Sequence, residues 1–204
     1  MEKVIIINNS KDYVKLLKHI KYYKIMSYFN ITFEIQNNIK NDEVHAISKA
    51  LNIKKRKKRI EYVYDEICRF IDSKNKNINI CGFEHNKCHV QLLKGSDKCN
   101  GCCRTCLYQS TNGCLTKNLA CKMFYCSEVK KRYKVLKYDD LNLLKLLSWK
   151  QRFIIKSDYF SLREDVLKDL YSISIIYSSS RILYRMIRNY LLLFYKKKIW
   201  AEMN

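Results

Sequence analysis

The chain has 204 residues, enough for one domain with a real core and a small satellite. Forty Lys and Arg against 19 Asp and Glu give a net charge of +21, which points to a polyanion such as nucleic acid or an anionic membrane surface. No apolar run approaches the ~20 residues of a spanning helix, and GxxxxGK[ST], GxGxxG, HExxH and GxSxG are all missing, which takes the usual support from nucleotide hydrolases, Rossmann enzymes, zincins and serine hydrolases. Part of the charge has a bland explanation. Lys outnumbers Arg threefold in a chain rich in Asn, Ile and Tyr, whereas Arg is the better reader of phosphate forks and base edges.

The N-terminus, MEKVIIINNSKDYVKLLKH, has one Lys, a short apolar run and no small-residue cleavage site. It does not read as a secretory signal, so a reduced, cytoplasmic setting is expected. Residues 1–80 read as a helical region. Ser10 or Asn9 caps a helix over Lys11 to Phe29, with Val14, Leu17, His19, Ile20 and Tyr23 on its approximate apolar face. The alternation Ile31-Thr32-Phe33-Glu34-Ile35 predicts a short strand. Asp42 starts a second helix carrying Val44, Ile47, Ala50 and Leu51.

Residues 42–71 then resemble a helix-turn-helix. Asn52 stands where a left-handed turn is expected, and a helix follows over Lys54 to Ile71. Its first turns hold six consecutive bases: Lys54, Lys55, Arg56, Lys57, Lys58 and Arg59. A recognition helix puts its N-terminal residues into the major groove, so these are the candidate phosphate contacts. Cations at the positive end of a helix dipole are mildly unfavourable, which hints at a purpose. Lys58 departs from the buried Val or Ile that such a motif wants at its place. Ile60, Val63, Tyr64, Ile67, Cys68 and Ile71 recur at helical spacing as core, and Ser73 to Asn79 reads as a polar hinge.

Residues 81–126 depart from everything around them. They hold nine of the ten cysteines, Cys81, Cys88, Cys99, Cys102, Cys103, Cys106, Cys114, Cys121 and Cys126, and all four glycines. In a reduced compartment such clustering points to metal rather than disulfides. Cys99-x2-Cys102 and Cys103-x2-Cys106 are abutting CxxC pairs, each able to grip a metal from one tight turn. Cys102 and Cys103 are adjacent, so two sites or one spare thiol are implied. Zinc and iron–sulfur clusters both usually take four ligands. The spacing Cys106-x7-Cys114-x6-Cys121-x4-Cys126 is irregular and does not repeat the even halves of a zinc ribbon. An iron–sulfur cluster, for which 4Fe–4S is one candidate form, is therefore favoured, with zinc as the alternative. His85 and His89 flank Cys88 and read as surface residues rather than ligands.

Cys-Asn-Gly-Cys-Cys at 99–103, Cys106-Leu107, Gly113-Cys114 and the closing Cys121-Lys-Met-Phe-Tyr-Cys126 resemble the CxxCxxCC (YkgJ-like) zinc- or iron-chelating family. The closing element keeps that family's spacing, with Lys122 for Arg and Tyr125 for Pro. The resemblance covers residues 99–126 and implies iron–sulfur or zinc binding. Because the family includes flagellin lysine N-methylase-like enzymes, it also admits redox or group-transfer chemistry.

Residues 127–204 read as helices that pack with the N-terminal region. Ser127 caps Glu128 to Leu136, and Asp139 caps Leu141 to Ile155. Ser161-Leu-Arg-Glu164 spells a capping box for a run towards Tyr177, and Ser178 to Ser180 break or cap before Arg181 to Tyr195. In that last helix Arg181, Arg185 and Arg188 form one basic stripe, and Leu183, Ile187, Tyr190, Leu191 and Phe194 form the apolar face. The whole is expected to be mainly α, with helical flanks around a central irregular cysteine-rich metal module. A binding or regulatory protein engaging nucleic acid is the expected function. An iron–sulfur enzyme and a metal-stabilised interaction module are the alternatives.

Overall fold

The computed structural model describes residues 3–29, 31–36, 41–77, 82, 88, 89, 92, 109–110, 113–114, 118–172 and 174–202. These residues are mostly helical. They divide into two compact units, Met1–Ile67 with Tyr138–Arg152, and Cys68–Lys137 with Phe153–Asn204. Both units are discontinuous in sequence.

The first unit is built on a parallel pair of strands, β1 (Lys3–Ile7) and β2 (Ile31–Ile35), with Lys3 opposite Ile31 and Ile7 opposite Ile35. β2 is the strand its alternation predicts. β1 was hidden in an apolar run whose β-branched residues suit a pleated surface. Parallel strands need a crossover, and α1 (Ser10–Lys18) and α2 (Ile20–Met26) supply it. Asn9 caps α1, its Oδ1 accepting from the amides of Lys11 and Asp12 at 2.9 and 3.0 Å. The single helix expected over Lys11 to Phe29 is divided at His19, whose φ of −110° and ψ of 23° leave the helical region.

α3 (Asp42–Asn52) packs on β2 and buries Val44, Ile47, Ala50 and Leu51. Asn52 does not take a left-handed turn, since the only positive-φ non-glycine among the described residues is Phe160. Its side chain pairs with the Phe33 peptide instead. Nδ2 donates to the Phe33 carbonyl and Oδ1 accepts the Phe33 N–H, both at 2.8 Å. Ser48 Oγ donates to the same carbonyl at 2.9 Å. These contacts satisfy edge groups that a two-stranded sheet would otherwise leave unpaired.

α4 (Arg56–Asn77) buries Ile60, Val63, Tyr64, Ile67, Cys68 and Ile71 along one stripe, as their spacing requires. It runs on through Ser73, where a hinge was expected. Two 3-10 segments, Tyr138–Asp140 and Asn142–Leu146, bring Leu141, Leu143, Leu144, Leu146 and Leu147 into the interior. The helix expected over Leu141 to Ile155 therefore begins later, as α7 (Trp149–Ser157). The cause is a reciprocal cap: the Ser148 amide donates to Gln151 Oε1 at 2.8 Å and the Gln151 amide donates to Ser148 Oγ at 3.3 Å.

In the second unit, β3 (Gln109–Ser110) and β4 (Gly113–Cys114) form an antiparallel pair. The helices α5 (Leu119–Lys122), α6 (Ser127–Arg132), α8 (Arg163–Tyr171) and α9 (Ile175–Glu202) contribute Leu119, Val129, Val166, Leu170 and Ile182 to the buried set. No capping box forms at Ser161: the residue before α8 is Leu162, without a side-chain cap, and the Ser161 hydroxyl is donated to Asp158. Nor do Ser178 to Ser180 interrupt α9. Ser178 Oγ instead donates back to the Ser174 carbonyl at 3.1 Å and to the Asp169 carbonyl at 3.3 Å.

α9 also packs on the face opposite to the one expected. Ser178, Ile182, Arg185 and Asn189 form its buried stripe, while Leu183, Ile187, Tyr190, Leu191 and Phe194 are exposed, Tyr190 at 72%. No helix among the described residues is long and apolar enough to cross a membrane.

Candidate functional site

The six-base run separates into two groups. Arg59 is 2% exposed. Its Nε donates to the Ile53 carbonyl at 2.8 Å and Nη2 to the Leu51 carbonyl at 3.2 Å, while the guanidinium carbon lies 4.3 Å from the Tyr28 ring centroid. It therefore satisfies carbonyls at the end of α3 that the helix itself cannot pair, and burial holds its guanidinium below the ordinary arginine range, partly offset by Tyr28. Lys54 is committed as well, its Nζ donating to the Ser27 and Ile31 carbonyls at 2.8 and 2.9 Å. Arg59 is not presented to a phosphate, which corrects its assignment as a contact, while Lys54 lies at the surface with its ammonium engaged by these carbonyls. Lys55, Arg56, Lys57 and Lys58 remain exposed, and the first turn of α4 carries no acid. Nearby Lys24 is held below its ordinary value by burial, and then by the charges of Arg59, Arg56 and Arg152.

The arginine stripe of α9 is also divided. Arg185 is 6% exposed. Its Nε donates to Ser161 Oγ at 2.7 Å, and its Nη2 donates to Asp158 Oδ2 at 2.9 Å and to Asp169 Oδ2. Both aspartates are buried. Burial raises the Asp158 carboxyl above its ordinary value, while Ser161 and Arg185 oppose that rise. Arg181 pairs with the second oxygen of Asp169 at 3.3 Å and with Asp165 at 3.8 Å. Arg185 is thus a structural ion, and only Arg188 of the three is on the exposed surface. The stripe expected to face a polyanion is mostly directed inward because two buried carboxylates lie against it.

Of the nine candidate metal ligands, Cys81, Cys99, Cys102, Cys103 and Cys106 lie outside the described residues, and Cys114 is placed only as part of β4. Cys88 is buried, Cys121 sits on α5, and Cys126 occupies the N-cap position of α6. Among the described residues no three His, Cys, Asp or Glu side chains gather as a metal site.

Cys121 has a built environment. The Phe160 amide donates to its Sγ at 3.4 Å. Phe160 holds φ at 63°, a left-handed conformation that costs about 1–2 kcal/mol for a residue with a Cβ. Asn118, fully buried, sets the spacing: its Oδ1 accepts the Cys121 amide at 2.9 Å, and its Nδ2 donates to the Asp158 and Ser161 carbonyls at 2.7 and 3.1 Å. Burial, and then the charge of Cys121, raises the Tyr159 phenol. Sequence reasoning missed Asn118 and Phe160. Asn118 had a signal, an Asn directly before a short apolar helix, but Phe160 had none.

Comparison with family models, with curated proteins and with solved structures finds no match to this chain.

Proposed function

We propose that the protein binds nucleic acid through the phosphate backbone, using Lys55, Arg56, Lys57 and Lys58 at the start of α4. The observation that carries this is the division of labour in the basic run. Arg59 and Lys54 turn back to cap backbone carbonyls and so leave four cations exposed at a helix end with no acid in its first turn. Cations there oppose the helix dipole, and a phosphate would relieve that cost. The test is salt-dependent binding to duplex and single-stranded oligonucleotides. Replacing the four by Gln should flatten the slope of log K against log salt by about 0.9 for each B-DNA phosphate that is no longer neutralised. A parent protein that binds neither strand form at ~50 mM salt refutes the proposal.

The second element of the proposal is that the cysteine module holds an iron–sulfur cluster, as the resemblance to the CxxCxxCC family implies. The Phe160 amide directed at Cys121 Sγ supports it, because hydrogen bonds to ligand sulfurs tune such centres. Cys88, Cys114, Cys121 and Cys126 are the described residues among the nine candidates that would contribute thiolates. When bound, the cluster would supply cohesion between segments of the module, since a site of this kind rarely preforms without its metal. Strictly anaerobic purification followed by a visible spectrum and metal analysis tests it. Stoichiometric zinc in a colourless protein would replace iron by zinc, and a metal-free folded protein would refute both.

A further inference from the structure

The first unit contains a cavity of about 620 Å³ lined by Leu17, Lys18, His19, Ile20, Lys21, Tyr22, Lys145 and Arg152. Its volume falls within the range of about 300–1,000 Å³ typical of small-ligand pockets. The composition of the lining is one-sided: four cationic side chains and a histidine, and no acid. None of Lys18, Lys21, Lys145 or Arg152 forms an ion pair among the described residues. A surface with Lys in excess usually disperses its charge into solvent. Here four basic residues line one concave wall from two different parts of the fold.

The convergence is enforced. The break at His19 joins α1 to α2 and lets Lys18 and Lys21 flank the bend. α2 packs on the 3-10 segment Asn142–Leu146, which carries Lys145. Lys145 is held in place: its Nζ donates to Asn142 Oδ1 at 2.7 Å. Asn142 is fixed in turn by Glu43, which accepts from its backbone amide and its Nδ2, each at 3.1 Å. Glu43 is itself bonded by the Tyr13 hydroxyl at 3.0 Å. Glu43 thus orients Lys145 through Asn142 without neutralising it. Arg152, on α7, supplies a planar fork suited to bidentate phosphate binding. Positive charge extends beyond the lining: burial, and then the charges of Arg59, Arg56 and Arg152, hold nearby Lys24 below its ordinary value. Tyr22, Leu17 and Ile20 give the wall an apolar portion.

We propose that this cavity binds a phosphate-bearing small molecule of mononucleotide size, its phosphates held by Lys18, Lys21, Lys145 and Arg152. The site is separate from Lys55 to Lys58, so it stands or falls independently of duplex binding. The same phosphate chemistry could be offered by a free nucleotide or by the 5′-phosphate at the end of a strand.

The experiment is calorimetric titration of the full chain with ATP, inorganic tripolyphosphate and adenosine, and with a short single strand bearing either a 5′-phosphate or a 5′-hydroxyl. ATP and tripolyphosphate should bind one site competitively, and adenosine alone should not bind. Lys145→Gln and Arg152→Gln should each weaken ATP by roughly tenfold, the loss of about one charge-assisted hydrogen bond. Lys18→Gln/Lys21→Gln, at exposed positions, provides a second variant should either of the first two misfold. Replacing Lys55 to Lys58 by Gln should leave ATP affinity unchanged while reducing duplex binding. Preference for the 5′-phosphorylated strand over ATP would assign the site to strand ends. Absence of ATP and tripolyphosphate binding, or affinity unchanged in the cavity variants, overturns the proposal.

Discussion

Arg59→Ala separates a structural arginine from a nucleic-acid contact. The side chain is buried and makes two hydrogen bonds to the carbonyls of Ile53 and Leu51. Hydrogen bonds from a charged donor contribute about 1.5–3 kcal/mol each. Stacking on Tyr28 adds about 0.5–2 kcal/mol. Removing the guanidinium also removes the cost of burying it, one nitrogen of which, Nη1, is buried without a hydrogen bond. A net loss of about 3 kcal/mol follows, which at about 2–4 °C per kcal/mol for a chain of this size lowers Tm by roughly 6–12 °C. Urea unfolding followed by circular dichroism should show a lower midpoint with an unchanged slope. The salt slope of nucleic-acid binding, measured well below the new Tm, should not move. A stability change under about 0.5 kcal/mol, combined with a salt slope reduced by about 0.9, would make Arg59 a phosphate contact and refute the account.

Lys58→Ala should do the reverse, leaving stability within about 0.5 kcal/mol and reducing the salt slope. Arg185→Met leaves Asp158 and Asp169 buried without their shared cation and should cost about 3–5 kcal/mol. Because burial already raises Asp158 in the folded state, its contribution is fully present below its unfolded value of 3.8 and lost as pH rises through the folded one. The variant should therefore recover part of its deficit on acidification, and Asp158→Asn should rescue it at neutral pH; no dependence on pH in thermal melts would count against this. Tyr13 is likewise raised above 10.0, first by burial and then by Glu43, so its contribution is intact below pH 10.0 and lost as pH climbs through the folded value. Tyr13→Phe should cost about 1 kcal/mol at neutral pH and show a shallower alkaline loss in urea titrations. Cys121→Ser should lose iron from anaerobically prepared protein, whereas Cys68→Ser should keep it; full occupancy in Cys121→Ser removes Cys121 from the ligand set.

Much of the backbone was readable from the sequence because its causes are local. β2 is written in the alternation of Ile31 to Ile35, the inward face of α4 in the spacing of Ile60, Val63, Ile67 and Ile71, and the starts of α1 and α3 in Asn9 and Asp42. The cysteine density of residues 81–126 is a property of composition and needs no coordinates.

The roles of individual charges were not local, and tertiary structure decided them. Six adjacent bases look equivalent in sequence, yet Arg59 turns inward because the end of α3 offers it carbonyls, and Lys54 is engaged because the Ser27 and Ile31 carbonyls reach it. α9 has an apolar face that helical periodicity marks as core. It nevertheless packs by the opposite stripe, since Asp158 and Asp169, 27 and 16 residues from Arg185, require a buried cation. Asn52, expected to shape a turn, closes a strand edge 19 residues away. The four cations of the cavity come from α1, α2, a 3-10 segment and α7, and no motif links them. Periodicity reports which residues share a face; which face is buried, and which charge is held inside, depends on partners that only the fold brings near.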